Sequence, residues 1–328
     1  MANLAAEEFS ELVVTTLRKI EDELYDNVTL KHPLLDLLRD EQRSETGRAL
    51  VVPLELGLNE STQLTDDSGT FDTDVSDEIV GAAEFKWSDP IVSSVRLRWK
   101  QLQMNQGAQQ QFDLMRTHIR NMEYSHGRQL VKWLHMMADE RPSGGFNTLD
   151  EIVSDEDYDT AHGLEVGGID SSEQELWQAQ RLEINRDDEE SIRKTFRTVE
   201  NEILVATSNK NQIDAIVAGR DIFEEFADSF DDKVRYTEFG EGQARFREIK
   251  WGDIAVRLDP DCPSNRAYFL DTSTWKFRSL AGNFMAPQDA QKIPGTLDMV
   301  TPVASVLAVG VAERRANAVL ERDDNGGE

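Results

Sequence analysis

The feature that most constrains the fold is a regular apolar spacing between residues 105 and 138. Successive apolar positions are 3, 4, 3, 4, 4, 3 and 4 residues apart, at Phe112, Met115, Ile119, Met122, His126, Leu130, Trp133 and Met137. That spacing puts all of these side chains on one face of an α-helix. The helix would be about 50 Å long at a 1.5 Å rise per residue, which is longer than a small domain needs. Arg141-Pro142, followed by Ser-Gly-Gly, predicts its end.

Two strand-like segments flank an acidic stretch ahead of this helix. Residues 48–58 are mostly apolar, although Pro53 excludes a central position in a sheet. Residues 91–102 alternate apolar and basic side chains, which is typical of a strand. Residues 59–89 between them carry nine carboxylates and one base. Because structureless loops above roughly 12–15 residues are uncommon unless functional, we predict an extended hairpin with a long polar tip.

The chain opens with an amphipathic pattern over residues 7–26, then Pro33 and a leucine-rich cluster. A polar segment, 41–47, follows and predicts a hinge. This opening therefore predicts an N-terminal arm that is loosely joined to the rest.

Residues 139–190 are acidic and rich in turn signals, and an α/β block follows them. The patterns predict a helix opening near residue 187 and carrying Ile192, Phe196 and Val199, a buried strand at 203–206, a helix at 210–229, short strands at 244–249, 253–258, 266–270 and 275–279, and a strand-like segment at 299–311 before a charged tail.

The charge balance limits the partners. Lys and Arg number 35 against 63 Asp and Glu, a net charge of −28. Such a chain repels nucleic acid and anionic membranes, which argues against a surface that binds phosphates across its whole face. Simple solubility or a salt-adapted source would explain the same balance. The single Cys262 fits a reducing cytoplasm, and neither a signal peptide nor a spanning segment is evident. We expect a cytosolic protein with no membrane partner.

The motifs predict no catalysis, cofactor or metal. Asp155 starts a run like a calcium loop, but Thr160 and Val166 stand where that loop requires Gly and a bidentate Glu. Whether loop 155–166 binds a cation stays open, and a solvated acidic loop is favoured. His126 lies on the apolar stripe and is interpreted as a packing residue. Cys262 follows an acid, which disfavours a reactive thiol.

An acidic segment followed by a basic one suggests a contact. Residues 59–89 have a net charge of −8, whereas residues 91–138 have a net charge of +5. Two ordinary solvated faces are the alternative, but complementary charge favours contact between subunits. The candidate contacts are Asp66, Asp67, Asp72, Asp74, Asp77, Glu78, Arg96, Arg98, Lys100, Arg116, Arg120 and Arg128. Gly127 inside the long helix is a candidate hinge, since Gly costs about 1 kcal/mol there relative to Ala.

The order of elements resembles the Hong Kong 97-type fold of tailed-bacteriophage major capsid proteins. The segments that carry the resemblance are Glu84-Phe-Lys-Trp-Ser-Asp-Pro-Ile91, Gly163-Leu-Glu-Val-Gly-Gly-Ile-Asp170 with Glu175-Leu-Trp-Gln178, Ile203-Leu-Val-Ala-Thr-Ser208, Trp251-Gly-Asp-Ile-Ala-Val-Arg-Leu-Asp-Pro260, Cys262-Pro, Tyr268-Phe-Leu-Asp-Thr272 and Trp275-Lys-Phe277. The resemblance covers nearly the whole chain, from about residue 30 to 315. Each motif is weak alone, so the order of the motifs carries the resemblance. The resemblance takes residues 203–208 as the first strand of the axial domain. Glu200-Asn-Glu202 stands before it, where such proteins often have Gly or Pro.

The resemblance implies an α+β fold with five parts. They are an N-terminal arm (1–46), an extended loop formed by a long β-hairpin (47–102), a peripheral domain (103–187) with a spine helix (105–138), an axial domain (188–285), and a return to the peripheral domain with a C-terminal tail (286–328).

The resemblance also implies a structural role in the virion. The subunit would be assembled in the host cytoplasm into hexamers and pentamers of an icosahedral shell around double-stranded DNA, without sequence-specific binding. It implies portal and scaffolding partners and allows decoration proteins. No Lys–Asn cross-linking pair is identified. An encapsulin-like compartment with the same fold is the alternative, and an acidic enzyme or monomeric binding module is the reading from another class.

Overall fold

The structure is a computed structural model that describes residues 34, 37, 43–57, 80–100, 108–153, 165–185, 192–208, 210, 212–229 and 248–323. Its α-helices are α1 (Ala108–Leu134), α2 (Leu149–Val153), α3 (Ile192–Ala206) and α4 (Arg220–Asp228) within those residues. The strands are β1 (Arg43–Glu45), β2 (Ala49–Glu55), β3 (Val80–Lys86), β4 (Ile91–Leu97), β5 (Glu165–Val166), β6 (Ile169–Asp170), β7 (Gln180–Asn185), β8 (Ala215–Ala218), β9 (Glu248–Trp251), β10 (Ile254–Leu258), β11 (Arg266–Leu270), β12 (Trp275–Leu280), β13 (Ala286–Pro287), β14 (Gln291–Lys292), β15 (Met299–Ser305), β16 (Leu307–Val311) and β17 (Ala318–Asp323).

The long helix predicted from the apolar spacing is α1. It contains 27 described residues, which at 1.5 Å per residue is about 40 Å. Its buried face includes the predicted Ile119, Met122, His126 and Leu130. Leu134 and His135 near its end are also buried, because the end of the helix is covered from more than one side. The side chains of the predicted Phe112 and Met115 lie outside the described residues.

A six-stranded sheet, ordered β7-β17-β11-β8-β10-β9, forms the centre of the second half of the chain. Its side chains alternate between two cores, as the period of 2 in a strand requires. Ile216 and Phe269 point into a core shared with helices α3 and α4. Val217 and Tyr268 point into a second core, which includes residues of α1 and α2. The sheet is therefore covered on both faces.

The α/β block differs from its prediction in two places. The predicted strand at 203–206 is the last turn of α3, since Ile203 continues the helical spacing of Phe196 and Val199. The predicted helix at 210–229 is instead strand β8 followed by the shorter α4. All of β8 is buried, and a short apolar run of this kind has no periodicity that separates a strand from a helix.

The six-stranded sheet also crosses the predicted limits of the axial domain, 188–285. Strands β7 and β17 belong to it although they lie on either side of that range. Strand β12 lies inside the range, but it pairs with β1 and β16 in another sheet.

The hairpin of the extended loop is formed by a different strand from the one predicted. Strand β2 pairs with β3, from Ala49↔Lys86 to Glu55↔Val80, so the second strand lies within the segment that was predicted as polar tip. Strand β4, the predicted partner, pairs along its whole length with β15. Pro53 is tolerated because the β2–β3 ladder has only two strands.

The segment predicted as a hinge is partly a strand. Strand β1 pairs in parallel with β12. The Arg278 guanidinium donates a 2.9 Å hydrogen bond to the Glu45 carboxylate, which makes the two an ion pair. Leu34 is fully buried in the core that includes α1. The end of the predicted arm is therefore packed onto its own subunit; its other residues before 43, apart from Leu37, lie outside the described part of the chain.

Candidate assembly surfaces

The base of the β2–β3 hairpin is fixed to the body of the molecule by close backbone contacts. The Phe85 ring lies against Gly310 of β16, where an added Cβ would come within 2.5 Å of the ring. The Glu84 amide donates a 2.8 Å hydrogen bond to the Gly167 carbonyl. Gly167 has a φ of +66°, a conformation that favours glycine. These contacts set the direction in which the hairpin leaves the body.

The acidic candidates at the tip of this hairpin lie beyond its described strands. Asp66, Asp67, Asp72, Asp74, Asp77 and Glu78 are outside the described residues. The sequence prediction that they contact the basic segment therefore stays a prediction.

The exposed face of α1 is basic. Arg120, Arg128 and Lys132 are exposed, and no ion pair joins any of them to another described residue. Glu123, the one carboxylate on the described part of this helix after residue 117, is buried at 7% exposure. The face therefore presents positive charge that acids on the same helix surface do not balance. The side chain of Arg116 lies outside the described residues.

The end of β4 continues this basic surface and adds apolar area. Arg96 forms a 2.8 Å ion pair with Asp298, which also accepts a 3.0 Å hydrogen bond from the Trp99 amide. The Trp99 hydrogen bond and the Arg96 guanidinium lower the pKa of Asp298 below its ordinary value. Beside them Trp99 and Leu297 are 43% and 56% exposed. Exposed Trp and Arg side by side are the composition of interface hot spots.

Arg98 and Lys100 are exposed at the same end of β4. Asp298 and Leu297 have no signal in the sequence near Trp99, because they are about 200 residues away and only the β4–β15 pairing brings them together.

A polar seam joins α1 to strands β4 and β15. The two ring nitrogens of His126 lie 2.8 Å from the Ser93 hydroxyl and 3.0 Å from the Ser305 hydroxyl. Burial lowers the pKa of His126 to about 4, so the ring is neutral at pH 7. His126 is thus buried in the interior, as a packing residue would be. Gly127, the candidate hinge beside it, is helical and buried.

A buried ionic junction connects the six-stranded sheet to α2. Arg266 on β11 is 2% exposed and pairs with Asp150 of α2 and, at 3.0 Å, with Glu321 of β17. Arg181 on β7 reaches the same Glu321 at 2.7 Å. Burial lowers the pKa of Arg266, but Tyr268 and the carboxylates of Asp150 and Glu321 outweigh this effect and raise it above the ordinary value. The junction is therefore charged, buried and paired across elements far apart in the chain.

Arg314 fixes the C-terminal segment to the same region. Its side chain is fully buried and donates hydrogen bonds to the carbonyls of Ile152 (2.7 Å) and Trp177 (3.1 Å). The guanidinium carbon lies 5.9 Å from the centre of the Trp177 ring. Arg314 was predicted to be part of a charged tail, because a buried Arg has no local sequence signature.

Other candidate chemistry is sparse in the described part of the chain. Cys262 is buried, and burial followed by the charge of Asp259 raises the pKa of its thiol well above the ordinary value. No group of three or more His, Cys, Asp or Glu among the described residues could hold a metal ion. No described helix is long and apolar enough to cross a membrane. Most of the acidic loop 155–166 lies outside the described residues.

Solved structures share this arrangement of elements across most of the chain. The cyanophage A-1(L) capsid asymmetric unit matches 89% of this chain and 92% of its own, with a TM-score of 0.68 and 13% identity. The capsid of a native GTA particle covers 87% of this chain and 89% of its own, with a TM-score of 0.57 and 9% identity. A Mycobacterium phage Adephagia structure covers 89% and 91%, with a TM-score of 0.56 and 11% identity.

This chain has the capsid-protein fold. The α+β class and the Hong Kong 97-type architecture predicted from the order of elements are confirmed at the level of fold. No protein-family model matches the sequence, and no curated protein matches it. The capsid fold is thus recognised here through structure at identities of 9 to 13%.

Proposed function

We propose that this chain is the structural subunit of an icosahedral phage capsid, which assembles into hexamers and pentamers around double-stranded DNA. The observation that carries the proposal is the capsid fold, matched over 89% of this chain and 92% of a capsid subunit. The exposed Trp99 and Leu297 next to Arg96 support it, because apolar and Arg-rich patches of this kind mark surfaces that bind proteins.

Parts of the fold have distinct roles in this proposal. The six-stranded sheet with α3 and α4 serves as the axial domain, α1 with β4 and β15 as the spine and peripheral domain, and the β2–β3 hairpin as the extended loop. The N-terminal arm, 1–46, would contact neighbouring subunits beyond its packed end at Leu34.

The acidic hairpin tip of one subunit would lie on the basic face of the next. Residues 59–79 carry seven carboxylates and no Lys or Arg. Exposed Arg120, Arg128 and Lys132 have no ion-pair partner among the described residues. Oppositely charged surfaces steer association and fix the register of partners, and the anchored hairpin base sets where the tip can reach.

The overall charge fits a container for DNA. A net charge of −28 repels packaged DNA, so the wall would enclose DNA without binding its sequence. Portal and scaffolding proteins, assembly in the host cytoplasm and optional decoration proteins complete the proposal.

Size and particle imaging test the proposal directly. We expect the purified full-length chain, alone or with a co-expressed scaffolding protein, to form shells in size-exclusion chromatography and negative-stain microscopy. A monomer of 37.2 kDa under all of these conditions would contradict it. Shells isolated from the native source with a protein cargo in place of DNA would favour an encapsulin-like compartment.

Charge reversal tests the contact between hairpin tip and helix face. Changing Asp72, Asp74 and Asp77 to Lys should block shell formation and leave a folded monomer with an unchanged circular dichroism spectrum. The matched control adds Arg120→Glu, Arg128→Glu and Lys132→Glu, which should restore shells by exchanging the charges. Normal shells from the first variant would show that the contact is absent.

Gly127 would let the spine helix bend between shell states. Replacing Gly127 with Ala should slow shell expansion. Ala is about 1 kcal/mol more favourable than Gly inside a helix, so the helix should resist bending more strongly. Ser125→Ala in the same helix is the control and should leave the rate unchanged. Expansion of Gly127→Ala shells at the wild-type rate, followed by time-resolved scattering, would exclude the hinge.

A further inference from the structure

The six-stranded sheet carries a cleft at the end opposite the ionic junction. Its volume is about 630 Å³, and it lies between α3, the segment before β8 and the β9–β10 turn. Buried Ile203 and Ile213 form its floor, and Trp251 stands on one side. The size is that of a site for a ligand or for a few side chains.

Carboxylates surround this apolar floor. Glu200, Asp214 and Asp253 line the cleft, and none of its described lining residues is a Lys or Arg. Glu200 accepts a 3.4 Å hydrogen bond from the Trp251 indole, and Asp214 accepts a 2.9 Å bond from the Thr272 amide. Asp253 is exposed in the two-residue turn after β9. The cleft therefore favours an apolar or aromatic group that carries positive charge.

A segment of matching chemistry lies between α4 and β9 in the sequence. Residues 233–247 have the sequence KVRYTEFGEGQARFR, in which Lys233, Arg235, Arg245 and Arg247 alternate with Tyr236, Phe239 and Phe246. With Glu238 and Glu241 counted, the segment has a net charge of +2 in a chain whose net charge is −28.

The geometry of β9 favours a second copy over the same subunit as the source of this segment. The four residues of β9 end at Trp251 beside the cleft. Its first residue, which follows the basic segment, therefore lies about 10 Å farther away at 3.4 Å per residue. The segment joins β9 at the end away from the cleft. To reach the cleft of its own subunit it would have to turn back along β9, whereas the segment of a neighbouring copy would not.

We infer that this cleft binds the basic–aromatic segment 233–247 of a second copy of the chain. Cleft and segment are different surfaces of one subunit, so the contact is head-to-tail. Contacts of this kind close into rings when the rotation permits. The inference rests on the proposed function and names the contact that would join neighbouring axial domains within a hexamer or pentamer.

A synthetic peptide of residues 233–247 tests the cleft on the full-length chain. Binding is followed by fluorescence anisotropy of the labelled peptide. Glu200→Gln with Asp253→Asn should weaken binding about tenfold or more, since each removes a charge facing the peptide. A peptide with Gln in place of its Lys and three Arg residues should weaken binding similarly. A scrambled peptide of the same composition measures attraction by charge alone and should bind at least tenfold more weakly.

A second variant keeps the carboxylates in place. Gln212→Lys puts a positive charge on the exposed rim of the cleft, and should also weaken binding about tenfold. Gln291→Lys makes the same change at an exposed site on β14 and should bind like wild type. Equal binding by the Gln212 and Gln291 variants, or no binding to the wild-type chain, would overturn the inference.

The peptide also separates this inference from the proposed function. Excess peptide should inhibit shell formation by the wild-type chain, whereas the scrambled peptide should not. Shells that form normally with saturating peptide would overturn the cleft contact and leave the capsid proposal standing. A chain that never forms shells but binds the peptide would overturn the capsid proposal alone.

Discussion

The two faces of the six-stranded sheet are stabilised by different means. Toward α3 and α4 the contacts are apolar and aromatic, with the Phe196 ring 4.6 Å from Phe226 and 5.0 Å from Phe269 between centroids. Toward α2 the sheet presents Arg266, which pairs with Asp150 and Glu321. The apolar face can be repacked by side chains of similar volume, whereas a buried charge requires its own partner in place. The face toward α3 and α4 forms the core of the domain. The face toward α2 fixes how the sheet is attached to the rest of the subunit.

Removing one partner of the buried ion pair should have the largest effect. Asp150→Ala leaves Arg266 buried without that carboxylate, so the free energy of unfolding should fall by about 3–5 kcal/mol. Urea denaturation of the full-length chain measures it. Adding Arg266→Met should recover much of the loss, because an apolar pair needs no charge partner. A loss below about 1 kcal/mol for the single variant would mean that the two faces do not differ in this way.

Acid should weaken the polar seam at His126 next. Burial lowers the pKa of His126 to about 4 in the folded chain, whereas His in an unfolded chain has a pKa near 6.5. The unfolded state therefore takes up the proton first, so stability is complete above pH 6.5 and falls as the pH drops to about 4. The loss reaches about 3 kcal/mol at 1.36 kcal/mol per pKa unit. His126→Gln should remove this slope from denaturation midpoints, and an identical slope would assign it to other groups.

A small change on the apolar face should cost less. Ile216→Val removes one methylene group from the core beside Phe269 and should cost about 1 kcal/mol. Because no charge is involved, the loss should be the same at pH 7 and pH 5. A loss that depends on pH would contradict the assignment of this face as purely apolar.

The exposed ion pair at the end of β4 should contribute least to stability. Arg96 is 51% exposed in its pair with Asp298, so Arg96→Ala should lower the free energy of unfolding by less than about 1 kcal/mol. High salt should reduce even this difference, because exposed pairs are screened. A loss comparable to that of Asp150→Ala would show that exposure does not separate the two ion pairs.

The sequence predicted elements whose hydrogen bonds and packing are local. The spacing of Ile119, Met122 and Leu130 identified α1, since helix bonds join residues four apart. The predicted strands at 253–258 and 266–270 are present as β10 (Ile254–Leu258) and β11 (Arg266–Leu270). The order of such elements was enough to predict the capsid fold, although no family model and no curated protein matches the sequence.

Tertiary structure decided the features that depend on distant partners. A strand can pair with any other strand, so the local pattern could not show that β4 joins β15 and leaves β2 to β3. Arg266 and Asp150 are 116 residues apart, and the side chain of Arg314 meets carbonyls at 137 and 162 residues' distance. The sequence thus predicted the long helix and the order of most elements through interactions within a few residues, but it gave the wrong type at the end of α3 and at β8. Pairing, burial of charge and the position of the cleft required the folded chain, because their energies depend on groups that only the fold brings together.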